Sequence, residues 1–126
     1  MNSKNFPLSK ERLAELAGHY PTPFYIYDEA AIRANARKLT KAFSVFPDFK
    51  EHFAVKALPN PFILQILADE GFGADCASIP ELVLAEKAGM QGESLMFTSN
   101  QTPVHEFIAA RNCGAVINLD DITHIE

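Results

Sequence analysis

A single lysine stands at the end of a short apolar segment, in a position that favours amine chemistry. Segment 53–57 has the composition of a β-strand, and strand side chains alternate between faces, so Lys56 points away from Phe53. Asn60 and Pro61 predict a helix start, which places Lys56 at the mouth of a strand-to-helix turn. In an apolar mouth the charged amine loses hydration, which favours the neutral, nucleophilic form that makes a Schiff base. Alternatively, the stem of Lys56 lines a barrel and its ammonium reaches water.

Other polar residues follow three further strand candidates. They are Asp75, Thr98, Ser99, Asn100, Asn118 and Asp120. Parallel α/β folds bind ligands at the carboxyl edge of the sheet, so these side chains are expected to converge on one rim. Asp75 follows Gly73 and Ala74, so small residues surround its carboxylate. A carboxylate within about 4–6 Å of Lys56 would hold the ammonium form and oppose the loss of hydration.

Each of these polar groups also has a structural explanation. Asp75 could accept hydrogen bonds from the amides that open the next helix. Residues 99–102 could be ordinary turn and cap chemistry. The residues by themselves leave both explanations open.

From residue 53 onward, strand and helix signals alternate. Strands are predicted at 53–57, 72–76, 94–98 and 115–119, and helices at 61–70, 79–88 and 103–112. Ser78 with Glu81 predicts a capping box, and Gly71, Gly89 and Gly114 predict helix ends. Repeated units of this kind form a parallel sheet through right-handed crossovers, so the sequence predicts an α/β fold with helices outside.

Two helices and one strand are predicted before residue 53. Ser9 caps a short helix that ends near Gly18, and Asp28 caps a longer one that ends no later than Pro47. The aromatic and β-branched stretch 24–27 predicts a strand. Four basic residues fall mostly off the apolar stripe of the longer helix and are expected to form a solvated face without function: Arg33, Arg37, Lys38 and Lys41.

Composition argues against several classes of function. The chain has 126 residues, 48% of them hydrophobic and 21% charged, as one globular domain would. A net charge of −5 without a basic run makes nucleic acid an unexpected partner. Cys76 and Cys113 lack zinc spacing, and the histidines lack metal-ligand spacing and a paired carboxylate, so no metal site is expected. These histidines are His19, His52, His105 and His124. With no apolar stretch long enough for a signal peptide or a membrane span, a cytoplasmic protein without membrane association is predicted.

Four segments, in this order and spacing, resemble the amino-terminal part of diaminopimelate decarboxylase. They are 23–28, 53–57, 73–82 and 97–100. This family belongs to the fold-type III pyridoxal phosphate enzymes, with ornithine and arginine decarboxylases and alanine racemase as relatives. The resemblance implies that Lys56 binds pyridoxal 5'-phosphate as a Schiff base and that Asp75 lies beside the cofactor. It also implies a homodimeric lyase of lysine biosynthesis that converts meso-diaminopimelate to L-lysine, with the cofactor ring as electron sink.

Three departures from the family pattern bear on the substrate. Leu58 stands where the family often has asparagine, and Ile79 and Pro80 replace two glycines near the site. Ser99 replaces a further glycine. Polyamine-pathway decarboxylases of the same fold, acting on ornithine, arginine or carboxynorspermidine, therefore remain alternatives.

The resemblance also implies the fold and its extent. A complete (β/α)₈ TIM barrel takes about 250 residues. Residues 23–126 are therefore expected to be the truncated amino-terminal part of an alanine racemase-like barrel, about four βα units, after a lead-in at 1–22. The missing half would hold the phosphate loop, the acidic partner of the pyridine nitrogen and the ring-stacking histidine, so this chain alone is expected to be inactive. Two other classes stay open: a complete, flavodoxin-like α/β binding domain, and a relative that binds the cofactor without catalysis.

Overall fold

The computed structural model describes residues 7–125, which form five α-helices and four β-strands. The helices are α1 (Lys10–His19), α2 (Glu29–Ala42), α3 (Pro61–Asp69), α4 (Ile79–Lys87) and α5 (Val104–Asn112). The strands are β1 (His52–Ala54), β2 (Gly73–Cys76), β3 (Leu95–Thr98) and β4 (Val116–Asn118), with 3₁₀ turns at Val55–Ala57, Gly92–Ser94 and Ile122–Ile125. Every predicted βα unit from residue 53 onward is present, with strands shorter than predicted. None of the helices within residues 7–125 has the length and apolar character needed to cross a bilayer.

The four strands form one parallel sheet in the order β1-β2-β3-β4. Each right-handed crossover adds the next strand on the same side, so the connecting helices α3, α4 and α5 all cover one face of the sheet. A flavodoxin-like sheet is doubly wound and places helices on both faces. The strand order therefore contradicts the flavodoxin-like alternative.

The two faces of the sheet differ in burial. Ala74, Cys76, Leu95 and Phe97 are fully buried and pack against the helices in one apolar core. The residues that alternate with them on β2 and β3 lie on the opposite, open face and are only half-buried: Asp75, Met96 and Thr98. The open face carries the candidate site.

Local signals place the helix ends as predicted. The side chain of Asp28 accepts a hydrogen bond from the amide of Ala31 at 3.0 Å, and that of Asn60 accepts from the amide of Phe62 at 3.0 Å. Gly71 follows α3 with a φ of 86°, a left-handed conformation that only glycine adopts readily.

Close packing at the amino end of the sheet requires Gly73. A Cβ there would meet the imidazole of His52 and lie 2.5 Å from the carbonyl oxygen of Ser94. Nε2 of His52 lies 3.1 Å from the carbonyl oxygen of Glu93, which fixes the ring over the glycine. Gly73, two residues before Asp75, therefore lets β1, β2 and the turn before β3 approach closely.

The prediction of a strand at 24–27 is wrong. This segment joins no ladder within the described residues, and Tyr25 is 88% exposed. The rings of Tyr25 and Tyr27 stack on each other with centroids 6.4 Å apart. A strand needs a neighbour for its backbone donors and acceptors, and the sheet formed by residues 52–118 does not include this segment.

The prediction of a solvated basic face on α2 is wrong for Arg33, whose side chain is only 25% exposed, whereas Arg37 is exposed as predicted but is engaged in ion pairs. Arg33 donates to Asp69 at 3.0 Å and to Glu70 at 3.2 Å, and Arg37 donates to Glu70 at 2.7 and 2.8 Å. The Glu70 side chain is 8% exposed, and the guanidinium groups of Arg37 and Arg33 lower its pKa from 4.5 to about 2. Because the folded-state pKa is depressed, this cluster stabilises the fold above pH 4.5 and loses that contribution as the pH falls toward 2. It ties α2 to α3.

Candidate functional site

Lys56 lies at the carboxyl edge of the sheet but not on a strand. β1 ends at Ala54, and a 3₁₀ turn follows, closed by a hydrogen bond from the amide of Leu58 to the carbonyl of Val55 at 3.1 Å. Val55 is fully buried and anchors the turn, whereas the Lys56 side chain is exposed. The prediction that Lys56 ends the strand is therefore wrong, and the exposure of its side chain agrees with the alternative in which the ammonium reaches water. The turn instead presents the amine at the surface of the rim.

Asp75 is the charged residue of β2. The register places it between Ala54 and Met96, which are both apolar. Its Oδ1 atom is buried and has no hydrogen-bond partner within residues 7–125. A buried carboxylate oxygen without a donor is costly, so Oδ1 marks a place where a donor from outside this part of the chain is needed. In the described structure no helix amide donates to Asp75, so the structural explanation as a cap does not hold.

The sheet brings the backbones of Lys56 and Asp75 close together. Ala54, two residues before Lys56, pairs directly with Asp75 across neighbouring strands. No ion pair joins the two side chains in the part of the chain that the structure describes. The chemical roles of Lys56 and Asp75 remain predictions.

Glu81 anchors the turn after β2. Its Oε2 atom accepts a hydrogen bond from the amide of Ala77 at 2.8 Å, and its Oε1 atom accepts from the hydroxyl of Ser78 at 3.2 Å. The Ser78 side chain accepts no hydrogen bond from a helix amide, so one of the two bonds of the predicted capping box is absent. The other bond, to the Glu81 carboxylate, comes from the amide of Ala77 rather than from that of Ser78. This carboxylate fixes Ala77 at the rim, a role that the sequence pattern did not reveal.

The loop after β3 is held by turn chemistry, as the structural explanation for residues 99–102 predicted. The hydroxyl of buried Thr102 donates to the carbonyl of Ser99 at 2.9 Å, and Gln101 has a φ of 53°. Thr98 differs from these residues. It alternates with buried Phe97 and therefore lies on the open face of the sheet.

The end of β4 carries a histidine–carboxylate pair that the sequence analysis missed. Nδ1 of His124 lies 3.2 Å from Oδ1 of Asp120 without the geometry of a hydrogen bond, and the imidazole meets the ring of Phe107 edge-on with centroids 5.2 Å apart. The expectation that no histidine has a paired carboxylate is wrong for His124. The four-residue spacing of Asp120 and His124 could have indicated this contact. The 3₁₀ turn that brings the two side chains together was not predicted.

Cys76 offers no nucleophile to this rim. Its thiol lies on the helix-facing side of β2, and burial, followed by the charges of Glu81 and Asp75, raises its pKa to about 12. The thiol is therefore protonated at neutral pH, whereas thiolate is the reactive form. Lys56 therefore remains the predicted nucleophile of the rim.

Comparisons with known proteins identify the family of this chain. Residues 29–126 match the family model for the pyridoxal binding domain of pyridoxal-dependent decarboxylases. The chain is 47% identical to protein TabA of Pseudomonas amygdali pv. tabaci over 121 residues, 96% of this chain. It is 38% identical to diaminopimelate decarboxylase of Methanothermobacter thermautotrophicus over 107 residues, 84% of this chain.

A solved structure confirms the fold. The diaminopimelate decarboxylase of M. jannaschii in complex with L-lysine superposes with a TM-score of 0.84 and 28% identity, over 90% of this chain and 27% of that one. The chain spans only 28% of TabA and 25% of the M. thermautotrophicus enzyme. The predicted α/β fold, the amino-terminal part of a TIM-type barrel, is confirmed.

Proposed function

The chain belongs to the family of pyridoxal-dependent decarboxylases, and from that premise we propose that it forms the amino-terminal part of a pyridoxal phosphate-dependent amino-acid decarboxylase. The proposed substrate is meso-diaminopimelate and the proposed product is L-lysine, because several relatives are diaminopimelate decarboxylases. One observation carries the proposal: an exposed lysine, Lys56, follows the strand that pairs with Asp75, whose buried Oδ1 atom has no donor among the residues that the structure describes.

The residues of the rim fit pyridoxal phosphate. The exposed amine of Lys56 is free to attach to an aldehyde, and Oδ1 of Asp75 needs a donor of the kind that a protonated nitrogen provides. Lys56 would hold the cofactor covalently, with Asp75 beside it. When bound, the cofactor supplies a ring that withdraws electrons from the bond to the departing carboxylate.

Two residues of this chain handle protons in the proposed reaction. The amine of Lys56 loses a proton before it attacks an aldehyde carbon and regains one when the amine of the substrate displaces it. Asp75 lies on the strand beside that turn, where its Oδ1 atom can accept a hydrogen bond from a protonated nitrogen. The 3₁₀ turn, anchored by buried Val55, keeps the amine at the rim in both situations.

The identity of the substrate is the most specific part of the proposal. The departures from the family pattern fall in the turns at the rim: Leu58 closes the turn after Lys56, Ile79 and Pro80 form the start of α4, and Ser99 follows β3. Such loops carry most substrate contacts in folds of this type. Ornithine, arginine and carboxynorspermidine are therefore the alternative substrates. We further propose that the complete enzyme is a homodimer of the cytoplasm.

A substrate screen tests the proposed function. The complete polypeptide that the gene encodes is loaded with pyridoxal phosphate, and carbon dioxide and product are measured with each of the four candidate amino acids and amines. Formation of L-lysine from meso-diaminopimelate is the expected result. Turnover of one of the other three in its place would reassign the substrate. Cofactor binding without turnover of any would replace the proposal by the non-catalytic alternative.

Asp75→Asn is expected to change the pH dependence of cofactor attachment. The substitution replaces a carboxylate by a neutral amide on the strand beside the turn of Lys56, so the pH range over which the cofactor attaches should shift. The measurement is a pH titration of borohydride-trapped cofactor on the complete polypeptide. Asp48→Asn, at an exposed carboxylate outside the sheet, is the control. Identical titrations for wild type and Asp75→Asn would assign Asp75 a purely structural role.

A further inference from the structure

The open face of the sheet ends in a second set of residues, one level beyond Asp75. Thr98 pairs with Asn118 across β3 and β4. On β2 the residue at that level is Ala77, two positions after Asp75, and on the turn after β1 it is Lys56, two positions after Ala54. β3 and β4 therefore end in a hydroxyl and a carboxamide, while the turns that follow β1 and β2 carry an amine and a methyl group at about the same level.

Ala77 leaves space between Lys56 and Thr98. β1 and β3 are two strand spacings apart, about 10 Å. The strand between them ends in a methyl group, which the hydrogen bond from the Ala77 amide to Glu81 holds in place at 2.8 Å. A flat ring attached to Lys56 could lie across this small residue, and Thr98 is the next residue along the rim that carries a hydrogen-bonding side chain.

Within residues 7–125 no side-chain hydrogen bond is found for the Thr98 hydroxyl, while the pairing of Thr98 with Asn118 holds its backbone in the sheet. Phe97, just before it, is fully buried, and Thr98 itself is in register with Asn118. Thr102, in the loop that follows, differs because its hydroxyl donates a hydrogen bond to the carbonyl of Ser99. Thr98 is thus positioned by the sheet with its hydroxyl uncommitted.

We infer that Thr98 contacts the pyridoxal ring carried by Lys56 and that its hydroxyl fixes the orientation of the ring by a hydrogen bond. This inference rests on the proposed function and adds a cofactor contact from β3. A hydroxyl is neutral and both donates and accepts, so it orients a polar ring substituent without changing the charge balance set by Lys56 and Asp75.

Thr98→Val removes the hydroxyl while keeping the shape of the side chain. On the complete polypeptide, pyridoxal phosphate affinity should fall about fivefold, the effect of one neutral hydrogen bond. The visible circular dichroism of the bound cofactor should weaken because the ring is less fixed. Borohydride should still trap the cofactor on Lys56. Thr98→Ser, which restores the hydroxyl, should bind as the wild type does.

Thr102→Val is the matched control, since it removes a threonine hydroxyl with a structural role in the same loop. It should lower the thermal unfolding midpoint and leave affinity and circular dichroism of the folded protein unchanged. Thr98→Ala provides a second test if valine disturbs packing. Wild-type affinity and circular dichroism in both Thr98→Val and Thr98→Ala would overturn the inference. Failure of the wild type itself to bind the cofactor would instead overturn the proposed function, and this inference with it.

Discussion

Lys56→Ala is expected to abolish covalent attachment of pyridoxal phosphate and to lower decarboxylation by the complete polypeptide at least about a thousandfold. The physical reason is the position of the amine. A buried residue, Val55, anchors the 3₁₀ turn after β1, and that turn holds the exposed side chain of Lys56 at the carboxyl rim. Alanine removes the nucleophile, and nothing else in the turn replaces it.

The measurement combines activity with peptide mapping. The complete polypeptide is incubated with pyridoxal phosphate and reduced with borohydride, and the modified peptide is identified. Lys56→Arg keeps the positive charge but cannot attach to the aldehyde, so it should be as inactive as alanine. Lys50→Ala is the matched control, because Lys50 is also exposed and only approaches the carbonyl of Glu93 at 3.4 Å. Modification at another lysine, or full activity in Lys56→Ala, would contradict the assignment.

The 126-residue chain by itself is expected to show no measurable decarboxylation. Its sheet has two outer strands, β1 and β4, and the open face lacks a covering layer in the described residues. Val116 and Leu119 at the β4 end are each 41% exposed. Unpaired strand edges and uncovered apolar side chains favour self-association. Only Lys56 and a few rim residues are present to hold the cofactor, which is too little for a productive orientation.

A direct comparison tests this second expectation. The purified chain and the complete polypeptide are assayed with excess pyridoxal phosphate and meso-diaminopimelate, and the size of the chain in solution is measured by light scattering. The chain with Lys56→Ala controls for background. A rate near that of the complete polypeptide, lost on substitution of Lys56, would show that four βα units suffice for catalysis.

Much of the fold was readable from local sequence. Asp28, Asn60 and Gly71 mark helix ends through bonds or backbone conformations within a few residues, so their effect hardly depends on the rest of the chain. The alternation of βα units could be predicted because its signals also lie within a few residues of each other. The segments around Lys56 and Asp75 that resemble the family are likewise short stretches of sequence. The family match and the superposed structure confirm the fold and the pyridoxal-binding domain.

The sequence by itself thus determined the order of the elements from residue 53 onward, the approximate helix boundaries and the family. Only the tertiary structure decided that β1 stops at Ala54, that residues 24–27 form no strand and that Oδ1 of Asp75 has no donor within residues 7–125. It also decided that Arg33 and Arg37 bind Glu70. A strand extends only as far as its neighbour pairs with it, and a polar atom is satisfied or left unpaired by groups far away in the chain. Such partners have no fixed spacing in the sequence, so no local sequence pattern predicts them.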